Sequence, residues 1–96
     1  MIETLREAGL DDYEAKVYLA LLEKGSMTKT PLIKHAGISP SKVYEVVDKL
    51  SKKGLVSIVV RNKVKTFTAA APIKIKEYLE SKKRSIALAE ENVESI

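Results

Sequence analysis

Lysine and arginine are the side chains through which this 96-residue chain is best equipped to do chemistry, and they are unevenly placed. Positions 28–68 hold nine bases (Lys29, Lys34, Lys42, Lys49, Lys52, Lys53, Arg61, Lys63, Lys65) against two acids, Glu45 and Asp48, a net charge of +7. Residues 1–27 are net −3 and residues 69–96 are balanced, so the overall +4 belongs to the middle segment. A basic segment of this kind suits a polyanion. Other chemistries are poorly provided for. There is no cysteine, which removes disulfides, thiolate catalysis and cysteine zinc sites together. His35 is the single histidine, read as a surface residue with a phosphate contact as its alternative. A metal site needs several convergent ligands, and the spacing of His and carboxylates suggests none. No Gly-rich phosphate loop and no diagnostic Ser/His/Asp spacing occurs. The expectation is a protein that is not an enzyme and carries no metal or cofactor.

The length fits one small hydrophobic core, and 45% apolar residues is ordinary for a folded chain. The start, Met1-Ile2-Glu3-Thr4, lacks a basic stretch followed by an apolar run. The longest apolar run, Val17 to Leu22, is far short of the ~20 residues that span a bilayer. A soluble, cytoplasmic, nucleoid-associated protein is expected. Glutamine is absent, Asn62 and Asn92 are the only asparagines, and Lys, Glu, Ile and Val are plentiful, the bias of heat-adapted proteins.

The elements that must position the lysines follow from periodicity. Residues 2–8 read as a short helix or arm. Asp11 caps the first strong helix, with Glu14 placed to complete a capping box. Ala15, Tyr18, Leu19 and Leu22 recur at helical spacing until Gly25 stops the run. Thr28 or Thr30 caps a second helix, with Pro31 in its first turn and Leu32, Ile33 and Ala36 inward. Gly37 then suits a left-handed helix end, Ser39 an N-cap and Pro40 a first helical position, with Ile38 stapled on Val43. One helix stops and another starts within about three residues, the helix-turn-helix connection. The third helix buries Val43, Val46, Val47 and Leu50 and ends at Lys52-Lys53-Gly54, with Leu55 closing on Leu50. Residues 55–60 and 64–69 are rich in Val, Ile, Thr and Phe and read as a β-hairpin turning at Asn62-Lys63, which sets Ile58 opposite Phe67 as a core contact. Pro72 starts a final helix reaching nearly to Ile96. The fold class is mainly α (α+β): a winged helix-turn-helix with a hairpin wing and a long C-terminal helix, divided as residues 1–71 and 72–96.

On the third helix the buried positions leave Ser41, Glu45, Asp48 and Lys52 pointing outward, with Lys42 and Lys49 at the flanks. Such a helix can enter the major groove of double-stranded DNA with its first turns nearest the bases. Ser39, Ser41, Lys42, Tyr44, Glu45 and Lys49 are the candidate contacts, Lys49 toward a phosphate and Tyr44 at the boundary with the core. The bland alternative is a solvated face braced by Glu45–Lys49 and Asp48–Lys52 pairs. Arg61, Asn62, Lys63 and Lys65 would lie along phosphates or the minor groove, and Lys29, Thr30 and Lys34 of the second helix along the backbone. Carboxylates on a DNA-facing surface cost electrostatic energy, and a glutamate can accept from cytosine N4. Glu45 and Asp48 therefore lean toward sequence readout.

From Ile75 a 4,3 spacing runs through Leu79, Lys82, Ile86, Ala89, Val93 and Ile96, a heptad seam weakened by Lys82 and Ala89. The first part is expected to pack back on the body with Tyr78 and Leu79. The second part lies beyond a compact body and is expected to pair with the same helix of a second chain. Both parallel and antiparallel pairings stay open. A homodimer would bring two recognition helices to a roughly palindromic site.

Leu5, Gly9-Leu10, the run Tyr13-Glu14-Ala15-Lys16-Val17-Tyr18-Leu19-Ala20-Leu21-Leu22, Gly25, Gly37-Ile38-Ser39, Lys42-Val43-Tyr44-Glu45-Val46, Leu50 and Gly54-Leu55-Val56 form a pattern over residues 5–72. In it the chain resembles the DNA-binding domain of the TrmB family, archaeal sugar-responsive transcription regulators. The resemblance implies a winged helix whose third helix, around Ser41 to Glu45, reads DNA. Members often carry a Gly-Arg-Pro-like wing tip where this chain has Arg61-Asn62-Lys63-Val64, so wing contacts do not transfer. Larger members continue into a sugar-binding domain, whereas this chain stops at Ile96; it resembles a stand-alone module, and no small-molecule ligand is inferred. The leading functional expectation is a sequence-specific, homodimeric transcriptional regulator. Its rivals are an architectural chromatin-type protein that coats DNA with low specificity, and a protein-interaction winged helix that binds no nucleic acid.

Overall fold

The computed structural model describes residues 1–96. In chain order the elements are α1 (Ile2–Glu7), α2 (Asp12–Lys24), α3 (Lys29–Ala36), α4 (Val43–Lys52), β1 (Val56–Arg61), β2 (Val64–Ala69) and α5 (Ile73–Glu94). This is the winged helix-turn-helix order with a long last helix, and α5 draws the molecule out to 49 × 29 × 25 Å. No helix is long and apolar enough to cross a membrane.

Local chemistry explains the boundaries. The α2 N-terminus carries a complete capping box: Glu14 N–H donates to Asp11 Oδ1 (2.8 Å) and Asp11 N–H to Glu14 Oε1 (3.0 Å). Gly37 ends α3 in the left-handed region at φ 68°, which an L side chain enters only with strain. Thr28 occupies the N-cap of α3 without a side-chain hydrogen bond. Ser39 does not cap α4, contrary to expectation. Its hydroxyl is engaged by that of Ser41 (3.1 Å), and Lys42 N–H closes a turn on Ser39 O (3.0 Å), so α4 begins at Val43.

The core gathers around α4. Val43, Val46, Val47 and Leu50 are buried along one stripe and meet Ala15, Val17, Tyr18 and Leu21 of α2 and Leu32 of α3. Ile38 and Val43 are both buried at the two ends of the connection, and Leu55 N–H donates to Leu50 O (2.9 Å) where the chain leaves α4. Tyr18 lies in this core with its hydroxyl donating to Ala70 O (2.8 Å), and burial pushes its phenol pKa up.

The hairpin register is antiparallel and pairs Ile58 with Phe67, as expected. Burial is not shared between them: Phe67 is 0% exposed and Ile58 37%. The cause is Met27. Its N–H donates to Phe67 O (3.0 Å) and its carbonyl accepts from Phe67 N–H (2.8 Å), so β2 is flanked on both edges while β1 lies outermost. The expected Ile58 core contact is therefore replaced by a Met27–Phe67 bridge over the α-helical body. Of α5, only Ile75, Tyr78 and Leu79 are partly covered, and every residue from Glu80 onward is exposed.

Candidate nucleic-acid interface

The burial of one α4 stripe decides what the opposite face presents. Tyr44, Glu45, Asp48, Lys49 and Lys52 are exposed on α4, while Ser41 (exposed) and Lys42 (half-buried), expected on the helix itself, lie in the turn that precedes Val43. Lys52 Nζ lies 3.1 Å from Asp48 Oδ2, whereas Lys49 Nζ lies 3.5 Å from Asp11 Oδ2 and only loosely, at 4.0 Å, from Glu45 Oε1. Partial burial works to raise the Asp11 pKa, but the Glu14 N–H, Lys49 and Lys53 outweigh it and hold the carboxyl below its ordinary value. Lys53 turns inward onto Glu14, which is only 3% exposed.

The other six cations of the middle segment behave differently. Lys29, Lys34, Lys42, Arg61, Lys63 and Lys65 form no ion pair. They lie on α3, just before α4 and on the hairpin. The fold brings three of the sequence-predicted groups together at one place. An open hollow of about 340 Å³ is lined by Thr28, Lys29, Thr30, Tyr44, Lys63, Val64 and Lys65, so α3, α4 and the wing contribute to a single surface. Tyr44 organises it. Its ring meets Phe67 edge-on (centroids 6.4 Å, 65°), while Lys29 Nζ and Lys65 Nζ stand 4.7 and 5.0 Å from its centroid. Lys42 Nζ lies 5.7 Å from the Tyr13 ring, on the other flank.

The wing tip is built for display. Asn62 and Lys63 take φ values of 51° and 65°, the pair of positive angles that a two-residue type I′ hairpin turn requires. Arg61, Asn62, Lys63 and Lys65 are all exposed, as are Ser39, Thr30, Lys34 and His35. No three His, Asp or Glu side chains converge as metal ligands. Sequence reasoning missed the lysine pair around Tyr44 and the Glu14–Lys53 contact. Both join residues far apart in the chain, and no local spacing announces them.

The model of the family "Sugar-specific transcriptional regulator TrmB" matches residues 5–74. The chain belongs to the TrmB family. That family is one of DNA-binding transcriptional regulators, not of enzymes. TrmBL1 of Pyrococcus furiosus, an HTH-type sugar-sensing transcriptional regulator, is 37% identical over 59 residues, which is 62% of this chain and 17% of TrmBL1. The chain thus corresponds to a small part of that relative's length. Among solved structures, TrmBL2, an archaeal chromatin protein with a novel mode of DNA binding, superposes with a TM-score of 0.82 at 25% identity. That match covers 99% of this chain and 38% of TrmBL2. A MarR-family transcriptional regulator of Silicibacter pomeroyi, SPO1453, gives a TM-score of 0.61 at 25% identity over 97% of this chain and 66% of that one. Membership of the TrmB family and the winged-helix fold therefore agree with what the lysine distribution and the helix spacing imply.

Proposed function

We propose that this TrmB-family protein is a sequence-specific regulator of transcription that binds double-stranded DNA as a homodimer, with α4 in the major groove and the hairpin on the backbone or in the minor groove. One observation carries the reading: Lys29, Lys63 and Lys65, none of them in an ion pair, gather around Tyr44 on the exposed face of an α4 whose opposite face is locked into the core. Ser39, Ser41, Lys42, Tyr44 and Glu45 are the groups nearest bases, and Lys29, Thr30, Lys34, Arg61, Asn62, Lys63 and Lys65 take the backbone. Lys49 is a weaker phosphate ligand, because Asp11 and Glu45 already share its charge. Residues 1–71 supply the DNA-binding unit, and residues 72–96 supply the pairing helix through Leu79, Lys82, Ile86, Ala89, Val93 and Ile96.

A second reading has an observation in its favour. The likeness to TrmBL2 runs along nearly the whole chain, and TrmBL2 is a chromatin protein. A DNA-coating role would use the same cations and ignore sequence. Glu45 and Asp48 favour readout instead, since acids on the DNA-facing helix reduce the unspecific attraction that a coating protein needs.

Selection of bound sites from random duplex DNA, followed by titration of a selected and a scrambled duplex at several salt concentrations, decides between them. A regulator enriches a palindromic motif and prefers it by about 10³-fold or more, the order seen for specific DNA-binding proteins. A ratio near one rejects the regulator in favour of the coating role, and no binding at low salt rejects both.

A further inference from the structure

The outer part of α5 is an apolar stripe with nothing over it. Ile86 and Val93, seven residues apart on one face, are 57% and 64% exposed, and α5 buries no residue at all. Its charges are sorted along its length. Residues 73–84 carry Lys74, Lys76, Lys82, Lys83 and Arg84 against Glu77 and Glu80, whereas residues 85–96 carry Glu90, Glu91 and Glu94 and no base. The helix is positive where it leaves the body and negative at its far end.

We propose that two copies of α5 pair antiparallel, about a two-fold axis between Ala87 and Leu88. The proposal rests on the homodimer reading above and adds an orientation and a register to it. The seam is its own mirror image about that point: Ile86 meets Ala89 of the second copy and Lys82 meets Val93, with Ile96, two residues past the end of α5, reaching toward Leu79. In an antiparallel coiled coil the positions flanking the seam on one side meet their own kind, which sets Lys83 of each copy against Glu90 of the other. Two ion pairs form by symmetry, and the basic half of each helix runs beside the acidic half of its partner.

The parallel alternative loses on both counts. It stacks each seam residue on its own copy, so Lys82 would face Lys82 at a core position, and it lays like-charged halves side by side. The body supplies a further reason. Leu79 is a lining residue of an apolar hollow of about 280 Å³ formed with Met1, Leu5, Leu19, Leu22 and Ile75, at the root of α5. In the antiparallel register the far end of the second helix, with Val93 and Ile96, arrives beside that root; in the parallel one it points away. The two winged units then stand at opposite ends of the pair. Their Ile75 residues are ~37 Å apart along the axis at ~1.5 Å per residue, the same scale as the ~34–36 Å between half-sites one helical turn apart.

The absence of cysteine makes the test direct. A disulfide needs Cα atoms within ~7 Å, and positions 82 of two antiparallel copies are ~16 Å apart along the axis. The full chain is made as Lys82→Cys and as Val93→Cys, and each is oxidised alone and mixed. The proposal expects a covalent dimer from the mixture and none from either variant alone. Charge provides a second measurement: Lys83→Glu and Glu90→Lys each weaken self-association about tenfold, the cost of two exposed like-charge contacts, whereas the two variants mixed prefer each other. Cross-linking of Lys82→Cys with itself overturns the antiparallel orientation and leaves the homodimer standing, as does a sedimenting dimer that yields neither cross-link. A wild-type chain that sediments as a monomer at tens of micromolar overturns the homodimer itself.

Discussion

Lys53, just past the last residue of α4, donates a hydrogen bond to the carboxylate of Glu14 in the first turn of α2, and that carboxylate also accepts from Asp11 N–H. One buried side chain thus closes the start of α2 and ties down the end of α4. The Lys53 ammonium also lies 5.8 Å from the Tyr78 ring, so α5 meets the same junction. The contact joins the C-terminal end of the proposed reading helix to α2, beside the packing of Val43, Val46, Val47 and Leu50 in the core.

Replacing Lys53 with Met leaves the 3%-exposed Glu14 without its counter-charge. The expected loss is about 3 kcal/mol, the low end for breaking a buried pair, since Lys53 keeps part of its surface in water. Urea unfolding of Lys53→Met and of the double variant Glu14→Gln/Lys53→Met measures it, and the double variant should be the more stable of the two. A loss below about 1 kcal/mol in the single variant would put the pair among ordinary surface bridges.

Acid should weaken the same corner of the molecule. Asp11 titrates below its ordinary value in the folded state, so in that interval the unfolded chain binds more protons and stability rises with pH. Its contribution is complete above the unfolded carboxyl pKa and disappears as pH falls through the folded one. Asn at this position still caps the helix but cannot ionise. The stability gap between wild type and Asp11→Asn should therefore narrow steadily from neutral pH to about pH 3. A gap independent of pH would show that the Glu14 N–H and the two lysines together do not hold this carboxyl below its ordinary value.

Much of this arrangement was legible in the sequence because its causes are local. The Asp11–Glu14 box, Gly37, the α4 stripe and the Asn62-Lys63 turn each depend on residues a few positions apart. What escaped is non-local. Met27 read as the middle of a linker, yet it pairs with Phe67, far along the chain, and decides which strand is covered. Ser39 has the chemistry of an N-cap, but its hydroxyl is held by Ser41. The Tyr44 hollow needs three elements to meet before Lys29 and Lys65 become neighbours.

Lys63 separates stability from binding. At φ 65° it occupies the left-handed region, where glycine carries no steric penalty. Lys63→Gly should leave thermal stability unchanged or raise it, by up to about 1 kcal/mol. The same change removes a proposed phosphate ligand, so DNA affinity should fall while the fold gains. A variant that binds DNA as tightly as wild type would remove the wing tip from the interface.

The salt dependence of binding should sort the lysines by their partners. Removing one phosphate-binding cation reduces the steepness of log K against log salt by about one. Lys29→Gln and Lys65→Gln, which delete unpaired ammoniums beside Tyr44, should each show that decrement. Lys49→Gln should show clearly less, because Asp11 and Glu45 already hold its charge. Equal decrements at all three positions would mean that α4 rearranges on binding and releases Lys49 from its acids.

Glu45 is the position where affinity and specificity should part. Its carboxylate is exposed on the outward face of α4, with Lys49 only loosely engaged at 4.0 Å. Facing phosphates it would repel; facing a cytosine amino group it would accept a hydrogen bond worth about 1–3 kcal/mol of discrimination. Glu45→Ala should therefore bind scrambled duplex at least as tightly as wild type, because a negative charge has left the surface, while losing preference at a C·G pair in the selected motif. Parallel titrations against the selected duplex and its single-position variants read both effects. Weaker binding to every duplex alike, with the order of preference intact, would assign Glu45 to bracing Lys49 and leave the readout to Ser41 and Lys42.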